Sequence, residues 1–348
     1  MIELDGAVGE GGGQILRTAL ALSMCTGRPM KIERIRAKRP KPGLMRQHLA
    51  CVNAAADVSR AKVSGAELGS QSPVFEPGEV RAGDYRFAIA TAGSCSLVLQ
   101  TVLPALMRAR GASRVALVGG THNPMAPPFH FLQRSFAPLV QRMGVGLDLT
   151  LKRLGFHPAG GGEFTAEIAP PSDGVLRVFD IEERGRALEG YAECLAPALP
   201  SHVAARELAT LGRLLGWSAD QLRAPAVRQH EGPGNALMVT LAYEHVHEVC
   251  TVFGEKHLSA EKVAHALAKE VRAYQASQGA LGPHLADQWM LPLALAVAAR
   301  GGSAFYTCSE MTEHATTNVG TIERFLPVRF AVEGAQAQHR VSVTAKTP

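Results

Sequence analysis

The sequence predicts an α/β (α+β) protein in which three βαβαββ repeats form a body and a smaller α/β domain interrupts the third repeat. The main observation is a plan shared by three stretches, in which small or turn-forming residues lead into an apolar helix that carries a glutamine. These stretches lie at 11–23, 93–106 and 284–297. Because self-similar segments indicate repeated structural units, each stretch is expected to open the helical part of one unit.

A second pair of helices and several strand-like runs complete the first two units. The Pro-led amphipathic stretches at 41–58 and 126–144 follow the first two helices at nearly the same offset. Runs rich in Val, Ile and Phe at 85–90, 114–120 and 164–169 are typical of strands. Each unit is therefore expected to be a small sheet with its helices on one face.

The third unit is interrupted, because its leading helix occurs only at 284 and is followed by 316–330. The chain before that helix has its own pattern of helices and strands, which indicates an insert. The predicted parts are a repeated body at 1–178 and 281–348 and an inserted domain at 179–280, with insert helices at 201–216 and 259–277 and insert strands at 236–244 and 248–254.

The composition is that of a globular protein, with 46% hydrophobic residues among 348. No apolar run approaches the roughly 18 to 20 residues that a membrane span needs. The N-terminal residues MIELDGAVGE show no signal peptide, and the six scattered cysteines form no C-x-x-C pair. We therefore expect a cytoplasmic protein with reduced thiols and no membrane contact, while its oligomeric state is not indicated.

An excess of basic residues points to an anionic partner. The net charge is +5, and lysines and arginines are concentrated at 31–46, where Glu33 is the single acidic residue. Such clusters are typical of surfaces that contact phosphates or nucleic acid. A solvated basic face is the alternative interpretation of this run.

The stretch GEGGGQILR at 9–17 raises the question of a nucleotide-binding loop. It lacks the lysine of a Walker loop, and Gln14 and Leu16 stand where a dinucleotide fingerprint requires glycine. Glycines still allow close approach to a ligand, and N–H groups at a helix start favour an anion. Glu10 is therefore a candidate ligand for a divalent cation and Arg17 a candidate phosphate ligand, with an ordinary glycine turn as the alternative.

His314 is the candidate for covalent chemistry. It follows a predicted strand at 303–307 and precedes a helix entry, so it is expected at the mouth of a sheet among helix N-terminal N–H groups. An imidazole is largely neutral near pH 7 and can attack a phosphorus without first losing a proton. A histidine that merely caps the helix is the alternative from the local sequence.

A series of motifs along the whole chain resembles the RNA 3′-terminal phosphate cyclases. The order of the motifs, rather than any one of them, makes the resemblance specific. They are LDGAVGEGGGQILRTALALS (4–23), IRAKRPKPGLMRQHL (35–49), GAELGSQ (65–71), DYRFAIATAGSCSLVLQTVLPAL (84–106), GGTHNPMAPP (119–128), FHPAGGGEF (156–164), HEGPGNA (230–236), HLADQWMLP (284–292) and EHATTNVGTIERFLPVRF (313–330).

The resemblance implies the same fold and an ATP-dependent reaction with Mg²⁺ or Mn²⁺. In the implied sequence of steps, His314 attacks the α-phosphorus of ATP and becomes adenylylated. AMP then passes to an RNA 3′-phosphate, giving RNA-(3′)pp(5′)A. The neighbouring 2′-hydroxyl finally attacks the activated phosphate, forms a 2′,3′-cyclic phosphate and expels AMP.

The resemblance also implies the residues that bind the two substrates. The residues similar to the ATP-binding set are Gln100, Pro127, His284, Leu285, Ala286, Asp287, Gln288, Glu10 and Arg17, with Glu10 also the candidate metal ligand. The residues similar to the RNA-phosphate set are Arg36, Arg39 and Gln47. His284 departs from the tyrosine expected in related enzymes, but its ring can still stack on adenine.

Two other functions are compatible with parts of the sequence. A branch of the same family is a non-catalytic scaffold in ribosomal RNA maturation, and the presence of His314 with the run 286–288 argues against it. His257 and His314 both fit H-x-[ST], the paired motif of phosphoesterases that open cyclic phosphates. A lysine-dependent ligase is disfavoured, because no K-x-D-G occurs in the chain.

Overall fold

The described chain is a mixed α/β protein with four small sheets, each accompanied by helices. The computed structural model describes residues 1–9, 11–89, 92–335 and 337–346. Parallel and antiparallel strand pairs occur together in the sheets. The α/β class predicted from the sequence is confirmed.

The N-terminal sheet contains four strands. Its elements are β1 (Ile2–Asp5), α1 (Gln14–Thr26), β2 (Met30–Glu33), α2 (Arg46–Ser59), β3 (Lys62–Ser64) and β4 (Val74–Glu76). The strand order is β1-β2-β4-β3, with β1 and β2 parallel and the other neighbours antiparallel. Helix α1 ends at Gly27, whose φ of 67° is a left-handed conformation that glycine adopts without steric cost.

The second sheet has the same order of elements and strands. Its elements are β5 (Asp84–Ala88), α3 (Cys95–Leu106), β6 (Ser113–Gly119), α4 (Phe129–Phe131), α5 (Ala137–Arg142), β7 (Gly146–Arg153) and β8 (Gly162–Ala169). The strand order is β5-β6-β8-β7, in which β5 and β6 are parallel and the other pairs antiparallel. The first and second sheets therefore share one topology.

The helix predicted at 126–144 begins later and is less regular than expected. Helices α4 and α5 are joined by a π-helical turn at Leu132–Phe136. Pro128 precedes α4 in an extended conformation, and Pro138 stands near the start of α5 without an N–H to donate. Because proline removes one backbone donor, the hydrogen-bond ladder has to shift around it, and a wider turn is one way to do so.

The third sheet in chain order lies within residues 187–253. Its elements are β9 (Ala187–Leu195), α6 (Ser201–Leu215), β10 (Leu222–Arg223), β11 (Ala236–Tyr243), β12 (His247–Phe253) and α7 (Ala260–Ala276). The strand order is β10-β9-β11-β12. Leu211, Leu237, Leu267 and Val271 are fully buried in a hydrophobic core of their own.

The last sheet contains the C-terminal strands. Its elements are α8 (Pro283–Arg300), β13 (Ser303–Cys308), α9 (Glu313–Phe325), β14 (Val328–Ala335) and β15 (Gln338–Ala345). The strand order is β13-β15-β14. Ile181 forms a parallel bridge with Tyr306 of β13, at the edge position that β1 and β5 occupy in the first two sheets. The division of the chain into body and insert at 178–179 and 280–281 stays a prediction.

Helix α8 runs through the largest hydrophobic core. Trp289, Met290, Leu293 and Ala294 are fully buried there, and most other residues of the helix are buried as well. Because the middle of this helix is apolar and buried, packing in the core fixes the position of the helix in the fold. No helix of the described chain combines the length and the apolar character that would let it cross a membrane.

Arg184 connects the chain before β9 to the end of α7 and the residues that follow it. Its guanidinium donates hydrogen bonds to the carbonyl oxygens of Tyr274 (3.1 Å), Ser277 (2.7 Å) and Gly279 (2.7 Å). It also lies over the Tyr274 ring, 4.2 Å from the centroid. A planar guanidinium can make these contacts at once, whereas an ammonium cannot.

We predict that Arg184→Lys lowers the free energy of unfolding by about 1.5–3 kcal/mol, the range for hydrogen bonds to charged groups. Arg186→Lys is the matched control, because Arg186 pairs with Glu244 at the surface and such exposed pairs contribute little. Urea unfolding can be followed by fluorescence, with Trp217 packed against the core of the insert and Trp289 in the main core. Equal effects of the two substitutions would contradict the role given to Arg184.

Candidate active site

A cavity of about 1000 Å³ brings most of the predicted nucleotide-binding residues together. The predicted residues that line it are Arg17, Gln100, Pro127, His284, Asp287, Gln288 and His314. They come from α1, α3, α8, α9 and the loop between β6 and α4. The volume is at the upper end of the range for small-molecule sites, which suits a ligand of nucleotide size.

Hydrogen bonds connect the cavity residues of α3 and α8. The side-chain amide of Gln100 donates to Oε1 of Gln288, and Nε2 of Gln288 donates to Oδ2 of Asp287 at 3.3 Å. Asp287 is 8% exposed, so its carboxylate is largely shielded from water. Hydrogen bonds in such a shielded place are stronger than bonds in water.

Gln14 extends these hydrogen bonds to His314. Its Nε2 donates to Oδ1 of Asp287 at 2.7 Å, and its Oε1 is hydrogen-bonded to Nδ1 of His314. Gln14 is the first residue of α1 and His314 is the second residue of α9. Two helix starts that are 300 residues apart in the chain are therefore joined through one side chain.

A second set of hydrogen bonds lies one helical turn below the first. Thr18 follows Gln14 by four residues, and its hydroxyl donates to Oδ1 of Asn318 at 2.8 Å. Asn318 follows His314 by four residues and donates to the carbonyl oxygen of Asp287 at 3.5 Å. Residues four apart lie on one face of a helix, so α1 and α9 contact each other over at least two turns.

The start of α9 has an ordered cap. Thr312 precedes the helix in an extended conformation, and its hydroxyl accepts a hydrogen bond from the Ala315 N–H at 3.0 Å. Thr312 therefore performs the capping task that was the alternative role for the histidine, and the His314 ring lines the cavity instead.

His284 and Pro127 stand at the cavity wall, where the resemblance expects the adenine. The pKa of His284 lies below its ordinary value, because the surrounding walls desolvate the ring and because His314 is close. Leu285 and Ala286 lie fully buried in the core, so their side chains do not line the cavity, and their predicted part in ATP binding stays a prediction.

The predicted phosphate-binding arginines lie close together beside the cavity. Burial, together with the charges of Arg17 and Arg36, lowers the pKa of His48 to about 3. Burial and the nearby Arg39 lower the pKa of Arg36. Positive groups gathered this closely repel one another, and a bound phosphate would relieve that repulsion.

Arg36 and Gln47 also have structural contacts. The Arg36 guanidinium donates to the carbonyl oxygens of Lys41 (2.6 Å) and Gly43 (3.1 Å), which holds its own loop. Nε2 of Gln47 donates to the carbonyl oxygen of Ser94 at 3.2 Å and so connects α2 to the start of α3. Arg36, Arg39 and Gln47 are not among the lining residues of the described cavity, and their contact with RNA stays a prediction.

A pair of buried histidines holds the loop that carries Pro127. Nε2 of His122 and Nδ1 of His130 are 3.0 Å apart and close the base of the loop at 123–128. Burial is the main cause that lowers the pKa of His122 to about 3 and the pKa of His130 to about 2. Both rings are therefore neutral at physiological pH, and one of them donates its ring N–H to the other.

A family model described as RNA 3′-terminal phosphate cyclase matches residues 8–332. The chain belongs to the RNA 3′-terminal phosphate cyclase family. The RNA 3′-terminal phosphate cyclase of Koribacter versatilis (strain Ellin345) is 49% identical over 346 residues, which cover 99% of this chain and 96% of that relative. The family and the enzyme class predicted from the sequence are confirmed.

Enzymes of the cyclase family depend on ATP, and the metal ion predicted from the resemblance would need ligands in the protein. Within the described residues, no group of three or more His, Cys, Asp or Glu side chains is placed to hold a metal. Glu10, the predicted ligand, lies outside the described residues. Because Mg²⁺ takes many of its ligands from water and substrate phosphates, a predicted Mg²⁺ or Mn²⁺ site would be completed by ATP.

Gln14 is the residue of the site that the sequence analysis did not select. The available signal was the glutamine that recurs near the start of three apolar helices, as Gln14, Gln100 and Gln288. Gln100 and Gln288 were assigned to the ATP-binding set from the family resemblance. The recurrence of the glutamine would have added Gln14 to that set. His257 of the alternative phosphoesterase motif does not line the cavity that contains His314.

Glu248 of β12 was also not anticipated, and it connects this strand to the residue that precedes α8. Its Oε2 accepts a hydrogen bond from the Gly282 N–H at 2.9 Å. Burial raises the pKa of Glu248 to about 8, although the Gly282 hydrogen bond and the Arg184 charge act in the opposite direction. The other titratable groups that face this region are Cys250, Glu270 and Tyr274.

We predict that Glu248→Gln stabilises the protein, relative to the parent, by an amount that grows as the pH rises from 4.5 to about 8. The carboxyl of the unfolded chain ionises near the lower value and that of the folded chain near the upper one. The unfolded state therefore binds fewer protons in this window, and the stability of the parent falls as the pH rises. Urea unfolding of both proteins at about pH 5 and about pH 8 measures the difference.

Glu244→Gln is the matched control for this prediction. Glu244 is exposed on the neighbouring hairpin, and hydrogen bonds from the Arg186 backbone and side chain lower the pKa of Glu244. It is ionised across the whole window, so its replacement should add no pH dependence. A stability difference for Glu248→Gln that stays constant with pH would contradict the assignment.

Proposed function

We propose that this chain converts an RNA 3′-terminal phosphate to a 2′,3′-cyclic phosphate at the expense of ATP, with His314 as the group that carries AMP. The observation that supports this most is the position of His314 in the cavity, hydrogen-bonded through Gln14 to Asp287. A phosphate monoester has no good leaving group, and transfer of AMP to it creates one. The proposal rests on this chemistry together with the family assignment.

The first proposed step takes place at the imidazole of His314. A ring nitrogen attacks the α-phosphorus of ATP, the N–P bond forms, and the bond from phosphorus to the bridging oxygen breaks with release of pyrophosphate. Arg17 lines the same cavity one turn beyond Gln14 and is suited to hold phosphate oxygens. Mg²⁺ or Mn²⁺, when bound with ATP, would neutralise further phosphate charge.

The later proposed steps transfer AMP and close the ring. An oxygen of the RNA 3′-phosphate attacks the phosphorus on His314, and the N–P bond breaks, giving RNA-(3′)pp(5′)A. The 2′-hydroxyl then attacks the 3′-phosphorus, loses its proton and displaces AMP. Arg36 and Arg39, which lie near Arg17 and His48, are proposed to hold the RNA phosphate during these steps.

The nucleoside of ATP is proposed to bind against the part of the cavity wall that Pro127, Gln100 and Gln288 form. His284 and Pro127 offer flat or apolar surfaces for adenine, and Gln100 with Gln288 offers amide groups to the base or ribose. The partner is an RNA 3′ end, the proposed location is the cytoplasm, and Glu10 is the proposed metal ligand. A scaffold role would not require His314 and Asp287 to share one network.

We predict that incubation with α-labelled ATP and Mg²⁺ labels the parent protein covalently and that the label is labile to acid, as expected of a phosphoramidate. His314→Ala should not be labelled. His257→Ala is the matched control, because His257 is outside the cavity, and it should be labelled like the parent. Covalent labelling of His314→Ala would contradict the proposed function.

We predict that Gln100→Ala weakens ATP binding by about tenfold, the effect of losing roughly one buried hydrogen bond of about 1.4 kcal/mol. The measurement is the ATP concentration that gives half-maximal labelling. Gln141→Ala is the matched control, because Gln141 lies on α5 and donates to the Leu147 carbonyl oxygen, away from the cavity. An unchanged half-maximal concentration in Gln100→Ala would refute the role of Gln100.

A further inference from the structure

The direction of each hydrogen bond around Asp287 follows from the chemistry of the groups. A carboxylate offers acceptors and no donor, so the side chain of Gln14 must present its amide nitrogen to Asp287. The carbonyl oxygen of the Gln14 amide then faces His314. Since that oxygen is an acceptor, the ring nitrogen that meets it must be the donor. Nδ1 of His314 therefore carries the proton.

The proton on Nδ1 decides which ring nitrogen is nucleophilic. A neutral imidazole has one N–H and one lone pair, and with Nδ1 protonated the lone pair is on Nε2. The other tautomer would place a second acceptor lone pair against the Gln14 oxygen and lose the hydrogen bond. The amide thus selects between two forms of the ring.

We infer that Gln14 is a positioning residue that holds His314 in the tautomer with its lone pair on Nε2, ready to attack phosphorus. This inference rests on the proposed function of His314 and adds a role that the family assignment does not state. Asp287 acts through Gln14, because it orients the amide that in turn orients the ring. In other enzymes, too, an acceptor fixes a catalytic histidine by accepting a hydrogen bond from the second ring nitrogen.

The same contact has a consequence during the reaction. When Nε2 forms the bond to the α-phosphorus and pyrophosphate leaves, the ring keeps its Nδ1 proton and becomes positively charged. The Gln14 oxygen still accepts that proton, and the Asp287 carboxylate lies directly behind the amide. A preorganised acceptor beside a developing positive charge favours the transition state over the ground state.

Two features keep Gln14 in place. It is the first residue of α1 and directly follows Gly13, which packs closely against its neighbours. A Cβ added at Gly13 would lie 2.4 Å from His48 Nε2 and 2.8 Å from an Arg17 guanidinium nitrogen. One turn further, the Thr18–Asn318 hydrogen bond holds α1 against α9. The distance between Gln14 and His314 is therefore set by the backbone of both helices.

The test is Gln14→Leu, which keeps the approximate size of the side chain and removes the amide. Labelling by ATP should slow by about tenfold to a hundredfold, while the half-maximal ATP concentration changes by less than about threefold. The rate constant of labelling falls, whereas the affinity for ATP does not, because the proposed contact acts on the nucleophile and not on ATP. Gln141→Leu is the control and should be labelled at the parent rate.

The deciding readout is the tautomer of His314, observed by nitrogen NMR of protein with ¹⁵N-labelled histidine and assigned by comparison with His314→Ala. The parent should show a protonated Nδ1 and an unprotonated Nε2, and Gln14→Leu should show a mixture. A parent ring protonated on Nε2, or labelling of a folded Gln14→Leu at the parent rate, would overturn the inference. If Gln14→Leu does not fold, the tautomer of the parent alone decides.

Failure of this inference can be distinguished from failure of the proposed function. If the parent protein is not labelled by ATP, the proposed function fails whatever the tautomer is. If the parent is labelled on His314 and Gln14→Leu is labelled equally fast, His314 keeps its role and Gln14 loses the one proposed here.

Discussion

The carboxylate of Asp287 is the acceptor on which the arrangement of the active site depends. One of its oxygens accepts from Gln14 and the other from Gln288. Those two amides in turn fix the groups at the two ends, His314 and Gln100. Because an acceptor at the centre determines the orientation of both amides, the direction of every bond in the series follows from one buried charge.

The fold places this carboxylate where three helix starts meet. Asp287 lies in the second turn of α8, a helix that contributes most of its residues to the main core and therefore cannot shift without disturbing that core. Gln14 and His314 begin α1 and α9, and the Thr18–Asn318 bond keeps those two helices in contact. Helices α1 and α9, which accompany different sheets, meet at this point, so residues about 300 apart in sequence lie together.

The sequence selected several of the residues that line the cavity but not how they are connected. The helix plan and the motifs selected His314, Asp287 and Gln100, and the cavity contains all three. Gln14 was not selected because both of its contacts are with residues of other helices. The spacing of residues along the sequence does not indicate how far apart two helices lie. Leu285 and Ala286 belong to the same motif as Asp287, but their side chains turn to the core, since neighbouring residues of a helix face different directions.

The parts that resisted prediction depend on burial and on long-range contacts. Glu248 looks like any strand glutamate in the sequence, and its raised pKa arises because the fold buries the carboxyl, although the Gly282 hydrogen bond acts in the opposite direction. The π-helical turn at Leu132–Phe136 interrupts a stretch whose pattern is that of one continuous helix. Local patterns report the period of an element, whereas the surroundings decide its charge state and its irregularities.

In the proposed mechanism, a histidine oriented through Gln14 by Asp287 carries AMP on Nε2. A crystal structure of the protein after reaction with ATP would show which atom carries the AMP. We expect continuous density from Nε2 of His314 to a phosphorus, with Nδ1 still within hydrogen-bond distance of the Gln14 oxygen and the Gln14 nitrogen directed at Asp287. A phosphorus bound to Nδ1, or to any other residue, would contradict the account.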